Sequence, residues 1–484
     1  MPASLLLLWR PGVSATESGD ELVLDSPRGR LALRSLTPTM RAALLRFAPP
    51  GADEECLAQI VADRKGGLAR WYYFLARLHR RAMLCYAVHA DNTHLATLVP
   101  VSPSFVWRPM RLSSDGKYVL SRFAYLRREG SEAVLESPMA HARVVMNDAK
   151  IAALVARLTL PGTVAELIKR SPDLSEDAVA GTLTLLLRAG VLQKANATGT
   201  SVEDDDPALQ TWAFHDLLFH ARSRKGRFDA PYGGTYRFQG RSQPPPALRE
   251  PPIGEKHALH RPDLMRLLRV DPPLAQVQEQ RRSLRAYNRD LPITEWQLGE
   301  FLFRVGRVCD YRELEVSTPG GKVKMDMASR PYPAGGGLYE LELYVAVKAC
   351  ANLASALYHY DPVRHELTRL PGRAADVNML LDDAGSSTGI PPDDLQVLII
   401  LAARVPRLAW KYESLAYALI LKHVGVLYQT MYLAATAMGL APCAVGGGDA
   451  DLFARATGID YVVETSVGEF LLGSKGPESA DARH

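Results

Sequence analysis

The sequence predicts an α+β protein in two parts: two tandem winged-helix-like modules, then a C-terminal α+β domain built to hold a flat ring and a phosphate. Three observations predict it. The N-terminal half repeats itself at an offset of 111 residues, ELVLDSPRGRLAL at 21–33 answering EAVLESPMAHARV at 132–144. A Pro-bounded glycine run, RPYPAGGGLYELELY at 330–344, leads straight into an apolar strand. Upstream of it, RRSLR at 281–285 gathers three arginines and a serine.

Leu5 to Leu8 read as a first strand, since no basic segment precedes them and Arg10-Pro11-Gly12 ends the run too early for a signal peptide. In each copy a β-hairpin precedes helical patterns. The first copy places helices near 37–47, 53–62 and 68–82, then RAML at 81–84; the second places them near 148–158, 163–170 and 175–189, then RAGVL at 188–192. Strands followed by three short amphipathic helices describe a winged-helix-like module. A DNA reader would carry a basic recognition helix. SEDAVAGTLTLLLR at 175–188 is acidic to neutral, and Arg70, Arg77, Arg80 and Arg81 are interleaved with apolar positions, so no nucleic-acid partner is expected. A peptide strand added to the winged sheet edge is the expected use, with a plain scaffold as the alternative.

The expected domains are residues 1–92 and 93–196 for the two modules, 197–270 for a linker and lid-like segment, and 271–484 for the ring-and-phosphate domain. Residues 196–208 are polar and acidic, and 240–255 are rich in proline; both read as linkers. Between them FHDLLFHARSR at 214–224 reads as helical, with His215 and His220 too far apart around a helix to share a metal.

The chain has 484 residues, enough for two or three domains, with 47% hydrophobic and 23% charged residues and a formal charge of +4. That charge is too small to argue for nucleic acid. The five cysteines are scattered without metal-ligand spacing, which points to a reduced, cytoplasmic setting and no structural metal. The apolar stretch Leu415 to Leu440 is interrupted by Lys422, His423 and Gln429, so a buried helix is expected and no membrane span.

Guanidinium forks match phosphate oxygens in pairs and a serine hydroxyl adds a short bond, so Arg281, Arg282, Ser283 and Arg285 read as a phosphate clamp. Pro333, Ala334, Gly335, Gly336 and Gly337 bring backbone close to a flat ring with no side chains in the way. A flat ring plus a phosphate suggests flavin mononucleotide (FMN). GxGxxG is absent, so a dinucleotide-binding Rossmann site is not supported.

Taken in order, FHDLLFHARSR, YGGTYRF (232–238), RRSLR, RPYPAGGGLYELELY, LYHYDPVRHEL (357–367), WKYESLAYALILKHVGVLYQTMYLAATAMGL (410–440) and GEFLLGSK (468–475) resemble the nitroreductase-fold FMN domain. More narrowly they resemble the SagB/McbC-type azoline peptide dehydrogenases, with the duplicated half similar to tandem PqqD-like peptide-recognition modules. The resemblance implies an α+β nitroreductase-like fold, FMN, a homodimer with flavin sites between subunits, and oxidation of thiazolines or oxazolines to azoles in a ribosomally made peptide. It implies that Arg281, Arg282, Ser283 and Arg285 hold the phosphate and ribityl chain, that Pro333 to Gly337 lie along the ring, and that Gly446 and Gly447 pass its other edge. It also implies that Lys475 returns to the phosphate. Ala334 departs from the serine usual there, which removes a hydroxyl contact but no backbone contact. Lys411-Tyr412 is the family's catalytic pair: flavin takes a hydride, so the protein must supply a base for the accompanying proton. An adjacent ammonium would stabilise a Tyr412 phenolate, and a desolvated Lys411 would itself be a base, so the sequence leaves the proton acceptor open.

An azoline-containing precursor peptide and a cyclodehydratase are the expected partners. The competing readings are an NAD(P)H-dependent flavin reductase or nitroreductase, a flavin oxidase desaturating ordinary peptide bonds, and a non-catalytic peptide scaffold. Ring preference and the identity of the peptide are not legible in the sequence.

Overall fold

A computed structural model describes residues 4–19, 21–27, 29–62, 67–90, 93–107 and 111–476. The chain divides into two compact units, Met1–Ala230 and Pro231–His484. The division falls at none of the three boundaries expected from sequence, and the reasons are local.

In the first unit the repeat is real but its two copies are used differently. Helices start where side chains satisfy their free N–H groups: Thr37 and Asp53 cap Pro38–Leu45 and Glu54–Val61, and Asp148 and Ser175 cap Ala149–Arg157 and Glu176–Ala189. The last of these stops at Gly190, whose φ of 76° few other residues adopt. Among the described residues, seven strands make one antiparallel sheet in the order Ala52–Asp53, Ser4–Trp9, Leu84–Ala90, Thr93–Pro100, Ala142–Met146, Glu132–Glu136, Tyr125–Glu129. The expected break at 92/93 lies inside the hairpin Leu84–Ala90/Thr93–Pro100, which joins the copies through one continuous core. Ser14–Ser18, Glu21–Ser26 and Gly29–Leu33 form a separate three-stranded sheet. The acidic stretch read as a linker is folded. Its carboxylates act as caps, Asp206 over Pro207–Gln210, while buried Glu203 accepts from Ser121 Oγ at 2.7 Å and Gln193 Nε2 at 3.0 Å.

The second unit is a seven-stranded antiparallel sheet in the order Lys256–Ala258, Glu366–Arg369, Ala356–Asp361, Leu341–Val347, Val397–Arg404, Glu464–Ser474, Leu440–Val445. Its central strands, Leu341–Val347 and Val397–Arg404, are buried at every position. They alternate between two cores: Leu343, Val345, Ile399 and Leu401 face helices Glu295–Gly306 and Ala416–Ala437, and Tyr344, Leu398 and Ile400 face Ala374–Thr388 and Ala450–Thr457.

Two expectations change here. The proline-rich stretch is bound rather than loose: Arg404 donates to the carbonyls of Pro246 and Ala247 at 2.9 and 2.8 Å, and Trp410 Nε1 to Ser242 O at 3.1 Å. Proline removes N–H donors but leaves carbonyls, which arginines collect. The long helix, expected to be buried on every side, is covered over about half its circumference, from His423 at one edge through Ile420, Val424, Leu427, Met431 and Ala435 to Tyr432 at the other. Tyr417 and Leu421 remain 45% and 40% exposed, because one chain supplies a sheet on one side only. No helix among the described residues is long and apolar enough to cross a membrane.

Candidate functional site

The strand Val397–Arg404 runs into the short helix Val405–Ala409, and three anchors fix the chain as it leaves that helix. Besides Arg404 and Trp410, buried Arg407 donates to Leu338 O at 2.9 Å, Asp326 O at 2.6 Å, Asp326 Oδ1 at 3.1 Å and Pro245 O. Lys411 and Tyr412 come next in the chain. Tyr412–Glu413 pairs with Gly233–Gly234, and Tyr236 N–H donates to Lys411 O at 3.2 Å. The Lys411 ammonium lies 5.2 Å from the Tyr412 ring centre and 5.8 Å from that of Tyr236.

The glycine run meets this pair. Gly335–Gly337 make a tight turn with Gly336 at φ 65°, ψ 23°. A Cβ at Gly336 would stand 2.5 Å from Lys411 Nζ and 3.0 Å from Tyr412 OH, so a side chain there would displace the ammonium, and the positive φ itself favours glycine. The amides of the run are not all turned outward. Gly335 N–H donates to His423 Nε2 at 2.8 Å, and Gly337 N–H to Ala334 O at 3.3 Å. Since His423 Nε2 accepts, its Nδ1 carries the proton, donated to Glu340 Oε1 at 2.7 Å. Glu340 is fully buried and its Oε2 has no partner among the described residues.

Burial, then the nearby Arg407 charge, pulls the Lys411 pKa below the ordinary lysine range. Burial, then Tyr236, pushes the Tyr412 phenol up. The phenolate that an adjacent ammonium was expected to stabilise is therefore disfavoured, because desolvation opposes charge on both groups.

The residues expected to form a clamp lie elsewhere. Arg281 to Arg285, outside any helix or strand, lie against the far part of the long helix, where Ser283 Oγ and Tyr432 OH are 2.7 Å apart and the Arg281 guanidinium stands 5.3 Å from the Tyr432 ring centre. Tyr432 OH also accepts from Ala444 N–H at 2.8 Å, and Leu284 N–H donates to Pro442 O at 2.8 Å. Arg282 and Arg285 are exposed. Lys475 bridges Tyr287, which brings it beside the clamp segment. Gly446 and Gly447 are exposed at the end of Leu440–Val445, with no atom within 4 Å of an added Cβ. Glu469, packed on Gly448, has its pKa pushed up to about 7 by burial, against a Ser466 hydrogen bond.

The site residues thus form two clusters. One holds Pro333 to Gly337, Lys411 and Tyr412 around His423; the other holds Arg281, Arg282, Ser283, Arg285 and Lys475 around Tyr432. His423 and Tyr432 are nine residues apart, about two and a half turns and ~13 Å along the axis, so they project half a turn away from each other. Open glycines in one cluster, and guanidinium groups with a hydroxyl in the other, are the groups that a flat ring and a phosphate would need. Sequence reasoning missed His423, Glu340, Tyr236 and Tyr432. Only His423 left a signal there, as a polar residue in the apolar run.

His423 acts as a strut, and the roles of its two nitrogens make a test. His423→Leu strands the Gly335 amide and the Glu340 carboxylate, whereas His423→Gln keeps one acceptor and one donor. We expect hydrogen exchange across 333–338 to rise about tenfold in the leucine variant, the equivalent of one net hydrogen bond. Exchange should return close to wild type with glutamine, with mass spectrometry as the measurement.

Comparison with known proteins gives three family matches in chain order: the ThcOx helix-turn-helix domain over residues 1–108, the cyanobactin oxidase ThcOx over 118–229, and the nitroreductase family over 279–473. A nitroreductase-named protein of Methanocaldococcus jannaschii is 26% identical over 195 residues, 40% of this chain and 86% of that one. Among solved structures, a nitroreductase-named protein of Ralstonia eutropha aligns at 22% identity over 51% of this chain and 100% of its own, with a TM-score of 0.36. The E. coli microcin synthetase McbBCD complex with truncated pro-MccB17 bound aligns at 16% identity over 54% of this chain and 91% of that one, with a TM-score of 0.34.

Proposed function

The chain carries the two ThcOx cyanobactin-oxidase domains followed by a nitroreductase-family oxidoreductase domain, and from that premise we propose that it is an FMN-dependent oxidase that aromatises thiazoline or oxazoline rings in a ribosomally made peptide. The observation that carries this reading is the meeting of Lys411 Nζ and Tyr412 OH at the side-chain-free face of Gly336.

Aromatisation removes two hydrogens, one as hydride and one as proton. FMN, when bound, supplies the hydride acceptor, with dioxygen as the final oxidant. The residues to hold it are Arg281, Arg282, Ser283, Arg285 and Lys475 at the phosphate, with Pro333 to Gly337, Gly446 and Gly447 at the ring. Lys411, drawn toward its neutral form, takes the ring proton on Nζ. Tyr412, kept protonated, donates a hydrogen bond to the azoline nitrogen and so acidifies the neighbouring C–H. An azoline forms by loss of water between a Cys or Ser side chain and the preceding amide, so a cyclodehydratase must act first.

Half a turn of helix separates the two clusters within one chain, and we propose that the complete site takes one cluster from each of two copies of the chain. Exposed apolar side chains support a homodimer: Tyr417 and Leu421 on the long helix, and Leu264, Met265, Leu268 and Val270 on Leu264–Val270, a helix with no buried residue.

The test is an anaerobic mixing experiment with flavin-loaded protein and a synthetic thiazoline peptide. Loss of visible flavin absorption together with loss of two hydrogens from the peptide is the expected result. Loss of absorption with NADPH alone would make the protein a reductase, and a protein that takes up no flavin would be a scaffold.

A further inference from the structure

One tyrosine beside the Lys411-Tyr412 pair is held in a backbone conformation that its side chain disfavours. Tyr236 stands at φ 54°, in the left-handed region where a bulky residue crowds its own carbonyl. Among the described residues seven non-glycine residues share that region, and three of them, Tyr236, Tyr339 and Ser414, flank Lys411, Tyr412 and the glycine turn. Such a concentration marks a place where geometry is kept at some cost in stability.

The bend is anchored from both sides. Tyr236 N–H donates to Lys411 O at 3.2 Å, and Gln239 N–H donates to Tyr236 O at 2.8 Å. Thr235 Oγ1 donates to Glu413 Oε2 at 2.9 Å, and Ser414 Oγ to Pro231 O at 2.8 Å. The Tyr236 ring meets buried Trp410 edge to face, with centres 6.0 Å apart and planes at 82°. So placed, the ring lies beside the Lys411 stem: a Cβ added at Gly234 would be 3.7 Å from Tyr236 Cε2 and 4.0 Å from Lys411 Cε. Gly234 is exposed and Tyr236 half-buried, which puts the ring on the outer side of the lysine.

A ring in that place acts on an amine in two opposed ways. Its face attracts an ammonium, weakly at the 5.8 Å between Nζ and the ring centre, and its bulk excludes the water that would solvate one. The ionisable groups around Lys411 are Tyr236, Tyr412 and Arg407; the glycine turn brings none, His423 is engaged by the Gly335 amide, and Glu413 is turned to Thr235 and Arg237. Burial leads the causes that lower the Lys411 pKa, so exclusion of water outweighs the attraction.

We propose that Tyr236 is a positioning residue for the catalytic pair: its ring is a wall that keeps water from Lys411 and aims Nζ at Gly336. A glycine would take the left-handed backbone without strain but would leave the lysine open. The proposal rests on Lys411 being the base, but its first test needs neither flavin nor substrate.

The experiment is labelling of the full-length protein with acetic anhydride across pH, read at Lys411 by mass spectrometry, with exposed Lys324 as internal standard. Only a neutral amine reacts, so the midpoint of labelling reports ionisation. In wild type the Lys411 midpoint should lie below that of Lys324. Tyr236→Phe keeps the ring and should leave the midpoint in place. Tyr236→Gly suits the left-handed backbone and so retains the fold, and loss of the ring should bring the midpoint up toward that of Lys324. Flavin reduction by a thiazoline peptide should slow about 10²-fold in Tyr236→Gly, as for a reacting group displaced by about 1 Å, and stay close to wild type in Tyr236→Phe. A midpoint unmoved in Tyr236→Gly, or moved equally in Tyr236→Phe, would overturn the proposal. The expected labelling shift in a protein that leaves thiazolines unreacted would uphold the wall and remove the oxidase reading.

Discussion

Flavin-loaded Lys411→Met protein, mixed anaerobically with a thiazoline peptide, is expected to reduce its flavin about 10³-fold more slowly than wild type, within the range that a positioned general base contributes. The base must be neutral to accept a proton, so the wild-type rate should rise about tenfold per pH unit below the Lys411 pKa and level off above it. That plateau should begin below the ordinary lysine value, because burial and Arg407 both lower the pKa. Tyr412 titrates the other way, since burial and then Tyr236 raise its pKa. A tyrosinate base would therefore show a rate still climbing above pH 10, the ordinary tyrosine value. Stopped-flow rates across pH for wild type, Lys411→Met and Tyr412→Phe separate the two. Loss of the pH-dependent limb in Lys411→Met alone assigns the base, and an unchanged limb there would remove Lys411 from that role.

Mixing two inactive variants is expected to restore activity. A chain with Arg281→Ala and Arg282→Ala keeps its catalytic pair but lacks a clamp; a Lys411→Met chain has the opposite defect. If each site takes its clamp from one chain and its glycine turn and catalytic pair from the other, half of randomly mixed dimers are mixed. Each mixed dimer has one intact site, so about a quarter of wild-type activity returns. His423 and Tyr432 hold the two clusters and project half a turn apart on one helix. Co-refolded or co-expressed protein, assayed per subunit, gives the answer; activity that stays at the level of the separate variants would place each site within one chain.

How much of this could be read from the sequence varies by region. The duplicated half was legible because V-L-acidic-S-P recurs and because Asp, Ser and Thr mark helix starts by the same chemistry that caps them. The use of the copies was not, since the same hairpin pattern is an open edge at Gly29–Leu33 and a filled one at Ala142–Met146. Pairing partners come from distant segments, and a strand's own residues do not name its neighbour. The acidic and proline-rich stretches misled for a related reason: composition reports poor core-forming ability, yet Glu203, Pro246 and Ala247 are held by hydrogen bonds to specific distant side chains.

By itself the sequence determined the α+β class, the winged repeat and the glycine turn. These come from local spacing, backbone freedom and side-chain chemistry, which a linear pattern records, while the Lys411-Tyr412 pair stood out only through the family resemblance. Only the tertiary structure decided that Gly336 faces Lys411 and Tyr412, that His423 and Glu340 pin the turn, that desolvation favours neutral lysine and protonated tyrosine, and that the residues expected to form a clamp lie half a turn away around the helix. Distances between residues far apart in sequence, and the water excluded around them, exist only once the chain has folded.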